Sequence, residues 1–582
     1  MDRPFSIGAF RVEPRANRIE SSAGSQRLEP KAMEVLCLLA SRRGQVVSRE
    51  ELLELVWQGA FVSDGVLNRA VHLVRRALGD PARGGRYLET IPRRGLRLLP
   101  PVVWEREASD RELPGPPVVL VLPFSDLSAE RFDYYVEGVT ELLIAELARQ
   151  PSLRVISRTS AMALEVEQRL LPEVAAAVGA SHVVEGTVQR RNRTLRLTAQ
   201  LIEAATDQHL WARAYDRDLD DLLVVQAELA ASIADTVGSV LAPSAAGSRH
   251  ARPSDPATIE LFLRGIYAWN RRSQSGFEEA MRRFEAVLAR DPEHVGALTA
   301  LGQVYVTAAL YGFLRPRLAF RSARASTEKA LALDPESGDA LGGMAAIHLF
   351  GDWDFRRAEA RFRESVERSP SNAIVRLGYA DTLAATGNSA EAISMIESAV
   401  RLDPLDAGMV MNRGDILGFC GRHEEALRFH LRAHELDPSS ARVSYRLAHR
   451  YRLAGRPDQA LDLLQRAAGL PGFEPWALFE HAMLDAREPG RREAARRVLA
   501  EGQLPPMHLA QLATSLGEHE QALGWLERAF EAGAPWAVFV GVEPDLAPLR
   551  EHPGLLPLAR RFGLEAALEP VRCDAFPPAE AP

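Results

Sequence analysis

Gly65, Arg69, His72 and Arg76 follow one another at intervals of four, three and four residues. At about 100° per residue they share one side of a helix, with Asn68 and Arg75 on its flanks. Guanidinium, imidazole and carboxamide groups in that arrangement donate hydrogen bonds to phosphate oxygens and to the edges of bases. Leu67, Val71, Val74 and Leu78 recur at helical spacing on the opposite side, so the same helix carries an apolar stripe to bury. Ser63 or Asp64 caps its start, and Gly79 with Pro81 stops it. Further on, Tyr87–Ile91 and Leu96–Leu98 read as two short strands. Pro92-Arg93-Arg94-Gly95 between them makes a tight tip bearing two guanidinium groups, and Arg97 stands on the second strand.

A helix of this kind fits the major groove of a duplex, and a hairpin with arginines at its tip follows the backbone into the minor groove. A charged outer face alone is ordinary for a surface helix; the basic hairpin beside it tips the balance towards nucleic acid. The stretch VSDGVLNRAVHLVRRALGD followed by YLETIPRRGLRL resembles the OmpR/PhoB-type winged helix-turn-helix, in the version of CadC/ToxR-like regulators, where this domain comes first. The resemblance covers about residues 5–100. It implies that Gly65–Leu78 is a recognition helix and Arg93-Arg94 a wing tip. Gly65, Asn68, Arg69 and His72 are then expected to face bases, Arg75 and Arg76 phosphates, and Arg93, Arg94 and Arg97 to serve the wing. The chain departs from the family in having Gly95-Leu96-Arg97-Leu98 where Gly-Tyr-Arg-Phe is common, and Gly65 where a polar contact residue is common.

These elements need a frame. Residues 5–28 alternate short apolar runs with turn residues and read as a small antiparallel sheet. Pro30–Ser41 reads as a helix with Met33, Leu36, Leu39 and Ala40 inward. Ser48-Arg49-Glu50-Glu51 is a capping box that opens a second helix ending near Trp57.

The whole chain has 582 residues, enough for three to four domains. Its formal charge is −8, but residues 1–100 hold 17 Lys+Arg against 11 Asp+Glu, a balance of +6, which leaves −14 for the rest. A basic head on an acidic body suits a chain whose head alone meets nucleic acid. The three cysteines, Cys37, Cys420 and Cys573, are too far apart in sequence to form a metal cluster or a disulfide framework. No run approaches the roughly 18 apolar residues that span a bilayer. Many CadC/ToxR-like regulators place a membrane helix just after the first domain; here residues 101–117 are charged and proline-rich and read as a linker. A cytoplasmic protein is therefore expected.

Residues 118–242 read as an α/β domain in the order βαβαβββα, from the apolar run Val118–Leu122 to an amphipathic helix over 220–240. The segments VVLVLPFSDLS, YYVEGVTELLIAELAR, LRVISRTSAM and VVEGTVQRRNRTLRLTAQLIEAATDQHLWARAYDRDL resemble a module of bacterial regulators and some cyclase-linked proteins, related to the amino-terminal domain of TolB. That resemblance implies no reaction and no ligand. Residues 243–256 are small, polar and proline-rich and read as a second linker.

From 257 to 566 the chain repeats. Ala280, Ala323, Ala358, Ala392 and Ala426 each stand eleven residues before a residue followed by proline, and Ala460, Ala494 and Ala522 continue the series. The recurrent spacing of 34 is the tetratricopeptide (TPR) signature, giving about eight helical hairpins stacked in an all-α superhelix. The one spacing of 43 implies an insertion around Tyr311–Arg317, between helices. Residues 567–582 read as a tail. The resulting fold class is multidomain: an α+β winged helix, an α/β domain and the TPR array.

No Walker A sequence, G-x-G-x-x-G, H-E-x-x-H, paired C-x-x-C or G-x-S-x-G occurs. No catalytic residue, cofactor or metal is expected, and the chain reads as no enzyme. The expected partners are double-stranded DNA, a peptide, protein or small-molecule effector at the array, and a second copy of the chain; no membrane is expected. The function expected is a sequence-specific regulator of transcription. The alternative is a TPR scaffold whose winged helix makes protein contacts.

Overall fold

The computed structural model describes residues 5–7, 10–14, 18–21, 24–42, 46–57, 64–80, 86–91, 94–99, 102–104, 116–128, 133–164, 170–191, 194–218, 232, 255–470 and 472–571. The chain divides into two compact units, Met1–Gly115 and Pro116–Pro582.

The first unit opens with an antiparallel sheet. Strands β1 (Phe5–Ile7), β2 (Phe10–Glu13), β3 (Arg18–Ser21) and β4 (Gly24–Arg27) pair in sequence order. Alternation sends Ile7, Val12 and Ile19 inward, each nearly inaccessible. A fifth strand, β7 (Val102–Trp104), pairs with β1. This corrects the linker expected from residue 101: its first residues complete the sheet, because Val102–Trp104 is an extended apolar run beside the otherwise open edge of β1. Helix α1 (Pro30–Ser41) buries Met33, Leu36, Leu39 and Ala40, as its pattern requires. Helix α2 (Arg49–Trp57) is capped by Ser48, whose Oγ accepts from the Glu51 N–H at 3.1 Å. The Glu51 carboxylate pairs with Arg42.

The second unit begins with the α/β domain. Its sheet has the order β10-β8-β11-β12-β13, built from β8 (Val118–Val121), β10 (Arg154–Val155), β11 (His182–Arg191), β12 (Thr194–Glu203) and β13 (Gln208–Asp218). The first three run parallel and the last three antiparallel; a short β9 (Ser125–Asp126) also pairs with β11. Alternation along β8 serves two cores. Val119 and Val121 pack towards α4 (Asp133–Ala148), and Leu120 packs with residues of α5 (Arg158–Met162) and α6 (Leu171–Val178). The closing helix expected over 220–240 falls almost wholly outside the described residues.

Helix Pro256–Asn270 starts the array, capped by Asp255. It is also part of the α/β core, since Ile259 and Leu263 pack there. The boundary expected near 256 is therefore a shared helix. Paired helices follow through His519–Glu531. Ala280, Ala323, Ala358, Ala392, Ala426, Ala460 and Ala522 all have zero exposure. In the seventh hairpin the buried alanine is Ala495, while Ala494 is half-buried; the expected position is one residue early because that hairpin has a longer connection. The insertion in the second hairpin is only partly loop. Helices Val295–Leu310 and Pro316–Leu333 are both longer than Ala373–Ala385 and Ser389–Leu402 two repeats on. The expected tail starts later than 567, because Ala567 and Leu568 are buried in a last helical turn, Glu565–Val571.

The α/β domain is fastened to the array by polar contacts. Ser160 Oγ donates to Asp403 Oδ1 at 2.6 Å and accepts from the Leu405 N–H at 2.9 Å. Ser371 Oγ donates to the Leu153 carbonyl and accepts from the Val155 N–H, each at 3.2 Å.

Candidate nucleic-acid interface

Helix α3 (Asp64–Ala77) is held by its apolar side. Leu67, Ala70, Val74, Ala77 and Leu78 are buried against α1, α2 and the hairpin, and Val71 is half-buried. Each large side chain so buried contributes about 1.5–3 kcal/mol relative to exposure, which fixes the rotation of the helix and hence its outer face. Gly79, at φ 60°, ends it. The Asp80 N–H reaches the Arg75 carbonyl at 2.8 Å and the Gly79 N–H the Arg76 carbonyl at 3.2 Å, the paired bonds of a glycine-stopped helix end. The Asp80 carboxylate then accepts from the Tyr87 and Leu88 N–H groups at 3.2 and 2.8 Å, tying the helix end to the hairpin.

The hairpin is β5 (Leu88–Ile91) and β6 (Gly95–Leu98). Val47 joins β6 through two bonds with Leu96, both 2.9 Å. Gly95 makes this possible: its φ is 141°, and a Cβ there would lie 1.9 Å from the Val47 carbonyl oxygen. Only glycine allows so close an approach.

The outer face of α3 carries Gly65, Asn68, Arg69, His72 and Arg76, all exposed. Arg94 is exposed beside the hairpin tip. Among the described residues, His72, Arg76 and Arg94 make no ion pair. Arg69 pairs with Glu29 at 2.8 Å, and both remain more than half exposed, so the pair is weak and open to exchange. Asn68 accepts a hydrogen bond from Arg49. Arg97 is held by Glu89 through bonds of 2.6 and 2.9 Å. Arg93 lies outside the described residues.

Arg75 is a correction. Expected towards phosphate, it is buried, donates to Thr90 Oγ1 at 3.0 Å and sits 3.7 Å from the Asp80 carboxylate. The buried face of α3 is wider than the stripe read from sequence, and Arg75 falls within it, between the helix and the hairpin. Two residues were missed. Arg49, at the start of α2, is exposed and reaches the outer face of α3; a basic residue beside an N-cap serine is the available signal. Val66 is 38% exposed on α3, an apolar side chain on an otherwise polar face.

Residues 24–98 match the family of transcriptional regulatory protein C-terminal domains, and residues 268–311 and 344–407 match tetratricopeptide repeats. The chain thus carries an OmpR/PhoB-type winged helix followed by tetratricopeptide repeats. The particular relatives sharpen this. The transcriptional activator CadC of Escherichia coli (strain K12) is 31% identical over 124 residues, 21% of this chain and 24% of that protein. The transcriptional regulator HilA of Salmonella typhimurium is 22% identical over 390 residues, 65% of this chain and 67% of that protein. A putative adenylate cyclase 3 of Rhizobium meliloti (strain 1021) is 32% identical over 198 residues, 34% of each chain. This chain spans about a third or less of the length of CadC and of that cyclase. Among the described residues no helix is long and apolar enough to cross a membrane.

Proposed function

We propose that the chain is a sequence-specific, DNA-binding regulator of transcription, and that its TPR body senses a signal or recruits a partner. The observation that carries this reading is the outer face of α3. Gly65, Asn68, Arg69, His72 and Arg76 project from a helix locked by its opposite side, and Arg94 extends the same basic character to the hairpin. A rigid helix with exposed donors is what base-edge reading requires, and arginines at a hairpin tip supply the phosphate and minor-groove contacts that position it. In this reading Gly65 leaves room for close approach to the groove, Asn68, Arg69 and His72 read bases, Arg76 meets phosphate, and Arg93 and Arg94 serve the wing. Arg97 positions the wing through Glu89. Two heads act on tandem or paired half-sites. The 118–242 domain is a TolB amino-terminal-like module that links head to array. The chain works in the cytoplasm and is not an enzyme.

The test is retention of a random duplex library by the purified full chain, beside an Arg69→Ala/Arg94→Ala variant. The reading expects an enriched sequence motif that the variant loses. No enrichment by the full chain or by its first unit sinks it.

A further inference from the structure

The body holds a half-open cavity of about 1960 Å³, lined by the array and by α4 and α5 of the α/β domain. The array closes on itself around it. Trp536 Nε1 donates to the Leu310 carbonyl at 3.2 Å, and Arg317 Nε to the Glu531 carbonyl at 2.9 Å, so the last hairpin returns to the second. A concave wall of aromatic side chains with a few polar groups among them is the usual form of a small-molecule site.

One corner of the chamber, where the sixth to eighth hairpins meet the C-terminal turns, is built for binding. Trp476 stacks on Tyr445, with ring centres 5.2 Å apart, and His508 stacks on Phe479 at 4.4 Å; Tyr445 meets His508 edge-on at 6.5 Å. Three polar atoms of this corner, Gln511 Oε1, Glu543 Oε1 and His508 Nδ1, are buried with no hydrogen-bond partner among the described residues. Gln511 and Glu543 are each only 8% exposed. Buried polar atoms are paired as a rule, so three orphans on one wall of a chamber mark where a ligand's groups belong.

Charge selects the ligand. Arg446 and Arg450 lie beside Asp415 at 2.5 and 3.4 Å and oppose a cation in this corner. Asp545 and Glu543 oppose an anion. His449, Glu543 and Asp545 stand close enough to one another to ligate a metal. However, Arg452 takes both oxygens of Asp545, at 2.8 and 2.6 Å, which leaves that trio a poor cation site. Burial, with Asp545 adding to it, pushes the Glu543 carboxyl up, and burial lowers His508 to about 4. The wall therefore offers an uncharged imidazole, a carboxamide oxygen and a carboxyl group. Hydroxyl groups, which both donate and accept, satisfy all three, and the flat face of an indole suits the C–H face of a sugar ring.

We propose that this corner binds a neutral polyhydroxylated ring, a monosaccharide or the ribose of a nucleoside, with its hydroxyls on Gln511, Glu543 and His508 and its face against Trp476. This names the ligand class for the sensing half of the proposed function and rests on that reading for its consequence; the binding itself needs no DNA. The test is calorimetric titration of the full chain with glucose, ribose and adenosine, with inorganic phosphate and magnesium as charged probes. One of the three neutral probes binds saturably, and which one does separates a free sugar from a nucleoside. Gln511→Leu weakens that binding about tenfold or more, while the melting temperature of the free protein holds or rises, because an unpaired buried acceptor has been removed. His508→Phe, which keeps the stack on Phe479, gives the same loss of binding and serves where Gln511→Leu fails to fold. No saturable binding by any neutral probe, undiminished binding in the variants, or preference for phosphate or magnesium overturns the proposal. Failure to retain DNA bears only on the head.

Discussion

The same residue type does opposite work in the two units. In the first, Arg76 and Arg94 stand in solvent on fixed elements, with no carboxylate paired to either among the described residues. In the second, Arg452 is fully buried and clasped between Glu480 at 2.7 Å and Asp545 at 2.6 Å. Arg446 and Arg450 likewise converge on Asp415. An exposed guanidinium on a rigid helix keeps its charge for an external anion. A buried one neutralises carboxylates brought from distant repeats and ties the last hairpins to the C-terminal turns. Basic composition alone therefore says little; burial decides whether an arginine serves a partner or the fold.

The largest break in this contrast is Arg452→Met. It leaves Glu480 and Asp545 buried without their partner, at a cost of about 3–5 kcal/mol. Denaturant unfolding of the body should show that loss, with DNA retention by the first unit unchanged. An unaltered unfolding midpoint would mean that the cluster is not what holds the end of the array.

Next in size is a pH effect at two equivalent positions of successive repeats. Asp381 and Asp415 lie 34 residues apart. Burial works against the charge of Asp415, but Arg446, His430 and Arg450 outweigh it and hold the carboxyl well below its usual range. Burial, with Asp415 adding to it, pushes Asp381 up to about 8. Between its unfolded value of 3.8 and about 8, the folded chain keeps a proton at Asp381 that the unfolded chain has released. Stability falls as pH rises through that window. Asp381→Asn should thus stabilise the body at pH 8 by on the order of a few kcal/mol and change little at pH 4. Asp415 acts in the other direction: its stabilisation is present above its unfolded pKa and disappears as acid reaches the lower folded one. Equal effects of Asp381→Asn at both pH values would remove the proposed asymmetry.

Neighbouring arginines of α3 sharpen the comparison within one helix. Arg75→Ala should destabilise the first unit by about 1–3 kcal/mol, because the hydrogen bond to Thr90 and the ion pair with Asp80 both go. Arg76→Ala should leave its melting temperature in place and weaken DNA binding alone. The reverse outcome would mean that the two faces have been assigned wrongly.

Much of this was legible in the sequence because periodicity reports directly on burial. The stripe of α1 and the alanine series of the repeats each encode one buried face, and the continuous apolar run of β8 encodes a strand buried on both. The site was less legible for the same reason. Arg75 looks like a flank residue by angle, yet the hairpin widens the buried arc, and packing between α3 and β5 leaves no local pattern. Asp80 merely lies between the Gly79 and Pro81 of the stop signal, whereas its carboxylate caps a strand six to eight residues on. Val102–Trp104 sits in a proline-rich, charged context, and only the open edge of β1 turns it into a strand. The chamber corner joins residues from three hairpins and the C-terminal turns, which no short window brings together.

The most direct test is the salt dependence of duplex binding, measured for the full chain and for Arg76→Ala/Arg94→Ala. Removing one arginine that neutralises a phosphate should lower the slope of log affinity against log salt by about 0.9, so the double variant should fall by about 1.8. A slope unchanged by the two substitutions, in a variant as stable as the parent, would contradict the account.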